Sequence, residues 1–321
     1  MDKNSKIFIA GHKGMVGSSI MRNLKKNGYN TIYFADRNAL NLLNQKEVED
    51  FFDRNDVDVV IDAAAKVGGI HSNNTYRADF IYENLQIQNN LIHSSYKYGV
   101  KKLLFLGSSC IYPKFADQPI KEEYLLTSPL EYTNEPYAIA KIAGIKMCEN
   151  YYKQYGCNFM SVMPTNLYGP GDNFHPENSH VLPGLLRKFH EARESIQSIV
   201  NVWGTGKAKR EFLHVDDLAN ACVFVLENIK AKDIYNQNIS HLNVGMGEDI
   251  SIADLARLIS KTVKYEGEIE FELNKPDGTL RKLIDNSRIK SLGWKPKISL
   301  EEGLKNTYNW YKENEQNIRS F

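Results

Sequence analysis

Apolar and polar positions follow two rhythms along the first half of the chain. Short continuous apolar runs at Ile7-Phe8-Ile9-Ala10, Thr31 to Phe34, Val57-Asp58-Val59-Val60-Ile61, Lys102 to Gly107 and Asn158 to Met163 have the length and composition of buried strands. Between them lie longer stretches with helical spacing: one through Met21, Leu24 and Lys25 that stops at Gly28, then Asn84 to Tyr98 and Pro136 to Tyr155. Wholly buried strands separated by helices belong to a parallel sheet covered on both faces. The pattern predicts an α/β fold, a Rossmann-type doubly wound parallel sheet within residues 1–170. After Pro164-Thr165-Asn166-Leu167-Tyr168-Gly169-Pro170 it loosens into longer loops rich in Asn, His, Pro and Gly with shorter elements between them. Residues 171–321 are expected to form a smaller α/β region that binds the substrate, some of whose elements could rejoin the sheet. With no internal repeat and no Pro- or Ser-rich linker, the two parts should pack as one body with a cleft between them.

The turn after the first strand carries the first chemistry. Gly11-His12-Lys13-Gly14-Met15-Val16-Gly17 places glycines at G-x-x-G-x-x-G spacing between a strand and a helix. Glycine there permits a tight turn and a close approach of backbone to a pyrophosphate at the helix amino end. Asp36 and Arg37 stand together at the end of the second strand. An acid at that place usually holds a ribose 2′-hydroxyl, whereas a basic residue accommodates a 2′-phosphate. Lys13 adds a second positive charge, and the balance favours NADP(H).

Composition narrows the classes. The 321 residues carry 40 Lys plus Arg against 39 Asp plus Glu, so no net field favours nucleic acid or an anionic membrane. Met1 to Lys6 is polar and runs straight into a strand, and no apolar stretch approaches the ~20 residues of a membrane helix. No signal peptide is expected, and the cytoplasm is the expected location. Cys110, Cys148, Cys157 and Cys222 lack the close pairing of a zinc site and the density of a disulfide scaffold, and no metal is expected. Cys148, Cys157 and Cys222 read as small buried hydrophobes. Cys110 differs, because it follows Ser108 and Ser109 at a strand end.

Tyr137 and Lys141 are four apart in a helical stretch, which puts both side chains on one face. A tyrosine titrates near ~10, and a neighbouring ammonium would bring it toward use as an acid-base near neutrality. Ser108, at the carboxyl end of a parallel strand where such sheets bind ligands, is the natural third partner.

Several segments together resemble the GDP-L-fucose synthase family, a branch of the extended short-chain dehydrogenases/reductases. They are Gly11-His12-Lys13-Gly14-Met15-Val16-Gly17-Ser18, Ala63-Ala64-Ala65-Lys66-Val67-Gly68-Gly69-Ile70, Gly107-Ser108-Ser109-Cys110-Ile111-Tyr112-Pro113, Asn134-Glu135-Pro136-Tyr137-Ala138-Ile139-Ala140-Lys141 and Met163 to Pro170. The likeness continues through Asp172 to Pro176, Asn178 to Val181, Arg210 to Asp217 and Lys275-Pro276-Asp277-Gly278-Thr279, and so covers nearly the whole chain. It implies a substrate of the GDP-4-keto-6-deoxy-mannose type, epimerised at C3 and C5 and then reduced at C4 by NADPH. Tyr137 would protonate the C4 oxygen, with Ser108 hydrogen-bonded to the same oxygen. Lys141 would lower the Tyr137 pKa and hold the nicotinamide ribose.

The same resemblance assigns epimerisation to Cys110 and His180, a thiol and an imidazole that can each exchange protons near neutral pH. It adds Met15, Val16, Ala64, Pro164, Asn166, Leu167, Lys141 and His180 to the cofactor contacts already read at Gly11, Lys13, Gly14, Gly17 and Arg37. Lys188 and Arg210 match phosphate-side basic positions, Trp203 an aromatic contact and Asp277 a polar contact with the nucleotide-sugar. The chain departs from the family by Lys at 13 and 188 where Arg is usual, by Asp36 beside the expected 2′-phosphate contact, and by Leu280 in place of Pro. Members of the family also act on GDP-4-keto-heptoses, some as C4 reductases after a separate epimerase, and both activities stay open here. Relatives pair two helices into a four-helix dimer interface. Leu85, Leu91, Ile92, Ile142, Ile145 and Met147 lie on the corresponding stretches, so a homodimer is expected.

Overall fold

A computed structural model describes residues 1–317 except Glu177 and Pro276. Pro276, one residue of the Lys275 to Thr279 segment, thus lies outside the described residues. Strand β1 (Ile7–Ala10) and helix α1 (Met15–Lys26) are followed by β2 (Ile32–Tyr33), α2 (Gln45–Asn55), β3 (Val59–Asp62), α3 (Ile70–Thr75), α4 (Arg77–Lys97), β4 (Lys102–Leu106), α5 (Glu135–Tyr155) and β5 (Phe159–Pro164). Next come β6 (Asn166–Tyr168), α6 (Val181–Glu194), β7 (Ile199–Trp203), β8 (Lys209–Arg210), β9 (Phe212–His214), α7 (Val215–Asn228), α8 (Ala231–Tyr235) and β10 (Leu242–Val244). The chain closes with β11 (Ile250–Ser251), α9 (Ile252–Val263), β12 (Glu268–Glu272), β13 (Arg281–Lys282), α10 (Ser287–Ser291) and α11 (Leu300–Asn314).

The central sheet has the order β10-β5-β4-β3-β1-β2, with every pairing parallel, which is the expected Rossmann-type architecture. Strand residues alternate between two cores. Ile7, Ile9, Ile61 and Leu104 pack with Ile20 and Leu24 of α1 and Leu218, Cys222 and Val225 of α7. Phe8, Val60, Leu103 and Phe105 pack with Val48 and Phe52 of α2, Leu91 and Ile92 of α4, and Ile142, Ile145 and Cys148 of α5. A third core joins α6, α9 and α11 to β7 and β9 through Leu186, Phe189, Val202, Phe212, Ile259 and Tyr308. Because strand order reverses between β1 and β3, their carboxyl ends diverge and leave a crevice where such sheets bind ligands.

One difference from the sequence pattern has a physical cause. Helix α4 begins at Arg77 rather than near Asn84. Its first turns face the loop after β3, where Asn84 exchanges hydrogen bonds with the backbone of Lys66 and the Lys66 ammonium meets Asp79 and Glu83. Polar partners therefore replace the apolar period that marks a helix. After residue 170 short strands alternate with long helices: α6 and α7 have 14 residues each, α9 has 12 and α11 has 15. Among the described residues no helix is long and apolar enough to cross a membrane.

Candidate active site

A cavity of about 960 Å³ lies at the carboxyl ends of β1, β3, β4 and β5. Gly11, Lys13, Gly14, Met15, Val16 and Gly17 form one wall, with Arg37 and Ala64 beside them and Pro164, Asn166 and Leu167 opposite. Gly11 and Gly17 are needed. Gly11 has a φ of +81°, and a Cβ on it would stand 2.6 Å from the Ala63 carbonyl oxygen. On Gly17 a Cβ would overlap the Gly11 carbonyl oxygen, so the loop and α1 touch backbone to backbone. Helix α1 opens with no side-chain cap and no acid in its first turn, leaving the positive end of its dipole for an anion.

At the end of β2, Lys13 is paired with Asp36 at 2.8 Å, and His12 Nε2 lies 3.3 Å from the same carboxylate. The Lys13 ammonium holds the Asp36 carboxyl below its usual range. Sequence spacing could not reveal this pairing, because it depends on how the glycine loop folds over the strand end.

Ser108 ends β4 and starts a short 3₁₀ turn, its Oγ accepting a hydrogen bond from the Cys110 amide at 3.4 Å. The turn presents Ser108 and Cys110 to the cavity, opposite Tyr137 and Lys141 on the first turns of α5. Burial holds the Tyr137 phenol above its ordinary value, and the nearby Ser108 hydroxyl opposes that shift only in part. Lys141 is 3% exposed, donates to the Leu106 carbonyl at 2.9 Å and sits 5.9 Å from the Tyr137 ring centre. Four-residue spacing puts the two side chains on one face, as expected. It does not bring the ammonium onto the phenol, because the Lys141 stem reaches the carboxyl end of β4.

Cys110 and His180 line the same cavity. Asn134 Nδ2 donates to Cys110 Sγ at 3.3 Å, and Lys282 Nζ lies 4.0 Å from that sulfur. His180 stands at the N-cap of α6, where loss of solvent within the cleft and the nearby Lys282 charge lower its pKa. Lys282 was not legible in the sequence. It lies 172 positions from Cys110 and reaches it where the chain after β13 bridges to Ile120. Asn134 and the buried Asp172 escaped notice too. Asp172 lines the cavity with one carboxylate oxygen unpartnered among the described residues, and burial pushes its pKa up to about 7.

Lys188, Trp203, Arg210 and Asp277 stand outside this cavity. Arg210 and Asp277 attract one another across the loop after β7, and Asp277 accepts hydrogen bonds from the Thr205 amide at 2.7 Å and hydroxyl at 2.8 Å. Trp203, 64% exposed, carries the Lys275 ammonium 5.3 Å from its ring centre. Lys188 is exposed on α6 and donates to the Asn201 carbonyl at 2.5 Å. Strand pairing sets Lys282 beside Arg210, so a continuous basic strip leads from Cys110 toward this patch.

A parallel sheet with a glycine loop at its switch point and a Ser-Tyr-Lys group at the end of β4 defines a dinucleotide-dependent dehydrogenase/reductase fold. Residues 7–245 match the NAD dependent epimerase/dehydratase family, and the chain belongs to that family. It is 58% identical over 313 residues to GDP-L-fucose synthase 1 of Arabidopsis thaliana, covering 98% of this chain and 95% of that protein. Identity to the GDP-L-fucose synthase of Escherichia coli K12 is 55% over 318 residues, covering 98% of each. Among solved structures, a GDP-mannoheptose C4 reductase from Campylobacter jejuni with NADP bound superposes with a TM-score of 0.89 at 44% identity, over 97% of this chain and 99% of that one.

Proposed function

We propose that the protein uses NADPH to reduce C4 of a GDP-4-keto-sugar after epimerising C3 and C5, yielding GDP-L-fucose or a related GDP-6-deoxy-sugar or GDP-heptose. The observation that carries this reading is the gathering of Ser108, Tyr137, Lys141, Cys110 and His180 around one cavity whose far wall is a glycine loop. The Gly11 to Gly17 loop and the uncapped start of α1 fit a pyrophosphate, and Lys13 and Arg37 supply cations for a 2′-phosphate. Bound NADPH supplies the hydride. Ala64, Pro164, Asn166 and Leu167 would enclose the cofactor, with Lys141 and His180 at its nicotinamide end.

The C–H bonds beside the C4 ketone are acidic, because the carbonyl takes up the charge as a proton leaves. Of Cys110 and His180, one removes that proton and the other returns one to the opposite face. The Lys282 ammonium lies 4.0 Å from Cys110 Sγ. Once the sugar is epimerised, Tyr137 gives its proton to the C4 oxygen as the ketone is reduced. Ser108 donates a hydrogen bond to the same oxygen, and Lys141 stabilises the phenolate left behind.

Residues 1–170 form the cofactor half in this reading, and residues 171–321 mainly the nucleotide-sugar half. Within the latter, Lys188 and Arg210 meet the diphosphate, with Trp203 and Asp277 at the nucleotide-sugar. A second reading, a C4 reductase of a GDP-4-keto-heptose acting after a separate epimerase, is favoured by the likeness to the Campylobacter jejuni reductase. Either product suits glycan or polysaccharide precursor synthesis in the cytoplasm. We propose a homodimer formed through α4 and α5. Leu91, Ile92, Ile142 and Ile145 are buried in the subunit's own core and cannot serve that interface. Tyr82, Tyr96, Ile139 and Tyr155 are exposed on these helices and are the candidates for it.

The test is the rate of NADPH oxidation with GDP-4-keto-6-deoxy-mannose, alongside Arg210→Ala. The wild type is expected to oxidise the cofactor. The variant should raise the KM for the GDP-sugar by about ten- to a hundred-fold, the worth of a charge-assisted phosphate contact, and leave the KM for NADPH unchanged. An unaltered GDP-sugar KM would move the diphosphate away from Arg210.

A further inference from the structure

We propose that Asp62 is the buried counter-ion of Lys141 and acts through it as a positioning residue for the proton donor Tyr137. The inference rests on the reading of Ser108, Tyr137 and Lys141 given above, and it begins with register. Asp62 of β3 pairs with Phe105 of β4, and Phe105 with Ser161 of β5, so the three form one row across the sheet with side chains on one face. Helix α5 covers that face. A Cβ on Gly144 would overlap the Phe105 ring, and one turn earlier Lys141 Nζ lies 4.6 Å from the centre of the same ring. Asp62 thus stands one strand spacing, roughly 4.8 Å of backbone, from Phe105, over whose ring the Lys141 ammonium lies.

Asp62 is 0% exposed. Its Oδ1 accepts from the Ala64 amide at 3.2 Å, and its Oδ2 has no hydrogen-bond partner among the described residues. A buried carboxylate left half-satisfied is destabilising unless a cation faces it. The cation acting on Asp62 is Lys141, and the anion acting on Lys141 is Asp62. Burial pushes the Asp62 carboxyl up to about 6, and the Lys141 charge opposes that rise. Tyr137 and Cys148 of α5 also feel this carboxylate, and Cys110 acts on Tyr137 from the turn after β4.

The consequence concerns the basic limb of the rate. Loss of solvent drives Lys141 toward its neutral form, and the Asp62 charge opposes that. The same charge raises the Tyr137 pKa. Whether the limb reports Lys141 or Tyr137, removing Asp62 moves it to lower pH.

The experiment follows kcat against pH, with NADPH and GDP-4-keto-6-deoxy-mannose, for the wild type, Asp62→Asn and Asp62→Leu. The Asn variant keeps shape and the Leu variant replaces the polar group with an apolar one, so failure of one to fold leaves the other. In each folded variant the basic limb is expected about one pH unit or more below that of the wild type, the size of a lost neighbouring charge. A role confined to packing would lower kcat by one factor at every pH and leave the limb in place. A limb that stays or rises in an active variant overturns the proposal alone, whereas a wild type that fails to oxidise NADPH overturns the catalytic reading and this proposal with it.

Discussion

Tyr137→Phe is expected to lower the rate of NADPH-dependent reduction by about a hundred- to ten-thousand-fold, the usual worth of a positioned general acid. The C4 oxygen must gain a proton as the ketone is reduced, and no neighbour of Tyr137 replaces it well. Lys141 Nζ is turned to the Leu106 carbonyl at 2.9 Å, and a serine hydroxyl gives up a proton far less readily than a phenol. The substitution deletes one oxygen near the Ser108 hydroxyl, while the ring keeps its edge-on contact with Phe80 at 6.5 Å between centres. Stability should change by no more than about 1 kcal/mol, so thermal unfolding distinguishes lost chemistry from lost structure. Exchange of the C3 and C5 protons should persist, because Cys110 and His180 are untouched. A variant that reduces substrate at the wild-type rate would remove Tyr137 from the mechanism.

Gly17→Ala should be the most damaging single methyl in the cofactor half. Its Cβ would overlap the Gly11 carbonyl oxygen and stand 2.8 Å from the Gly11 carbonyl carbon, both backbone atoms that cannot swing aside. Relief requires α1 to move off the loop, at a cost of about 1–3 kcal/mol. The same movement pulls the helix amino end away from the pyrophosphate, and the KM for NADPH is expected to rise about ten-fold or more. Gly14→Ala is the control. A Cβ there meets the Gly11 oxygen at 3.4 Å, a contact the loop can accommodate by a small shift. Equal NADPH affinity in the two variants would mean that the loop does not hold the pyrophosphate as described.

The parts of the site that were legible in the sequence are those set by local rules. Continuous apolar runs such as Val59 to Ile61 exist because a parallel strand is covered on both faces, and the glycines at 11 and 17 because backbone passes close to backbone. Tyr137 and Lys141 share a helix face by spacing alone. What escaped depends on contacts between distant segments. Lys282 meets Cys110 only where the chain after β13 bridges to Ile120, and Lys13 meets Asp36 only once the glycine loop is folded. Asp62 stood within an apolar strand without any local sign that a lysine 79 positions on would face it, since that follows from sheet register and from where α5 lies. The apolar residues Leu91, Ile92, Ile142 and Ile145 show the reverse limit. Helical spacing reveals an apolar face but not whether the subunit's own sheet or a second copy covers it, and here the sheet does.

The central claim is that one cavity both epimerises and reduces a GDP-4-keto-sugar. The most direct measurement incubates the purified protein with NADPH and GDP-4-keto-6-deoxy-mannose in deuterated water and locates deuterium in the product by NMR. Oxidation of NADPH with deuterium at C3 and C5 is the predicted result, whereas oxidation with protium retained at both positions would contradict it and leave a C4 reductase.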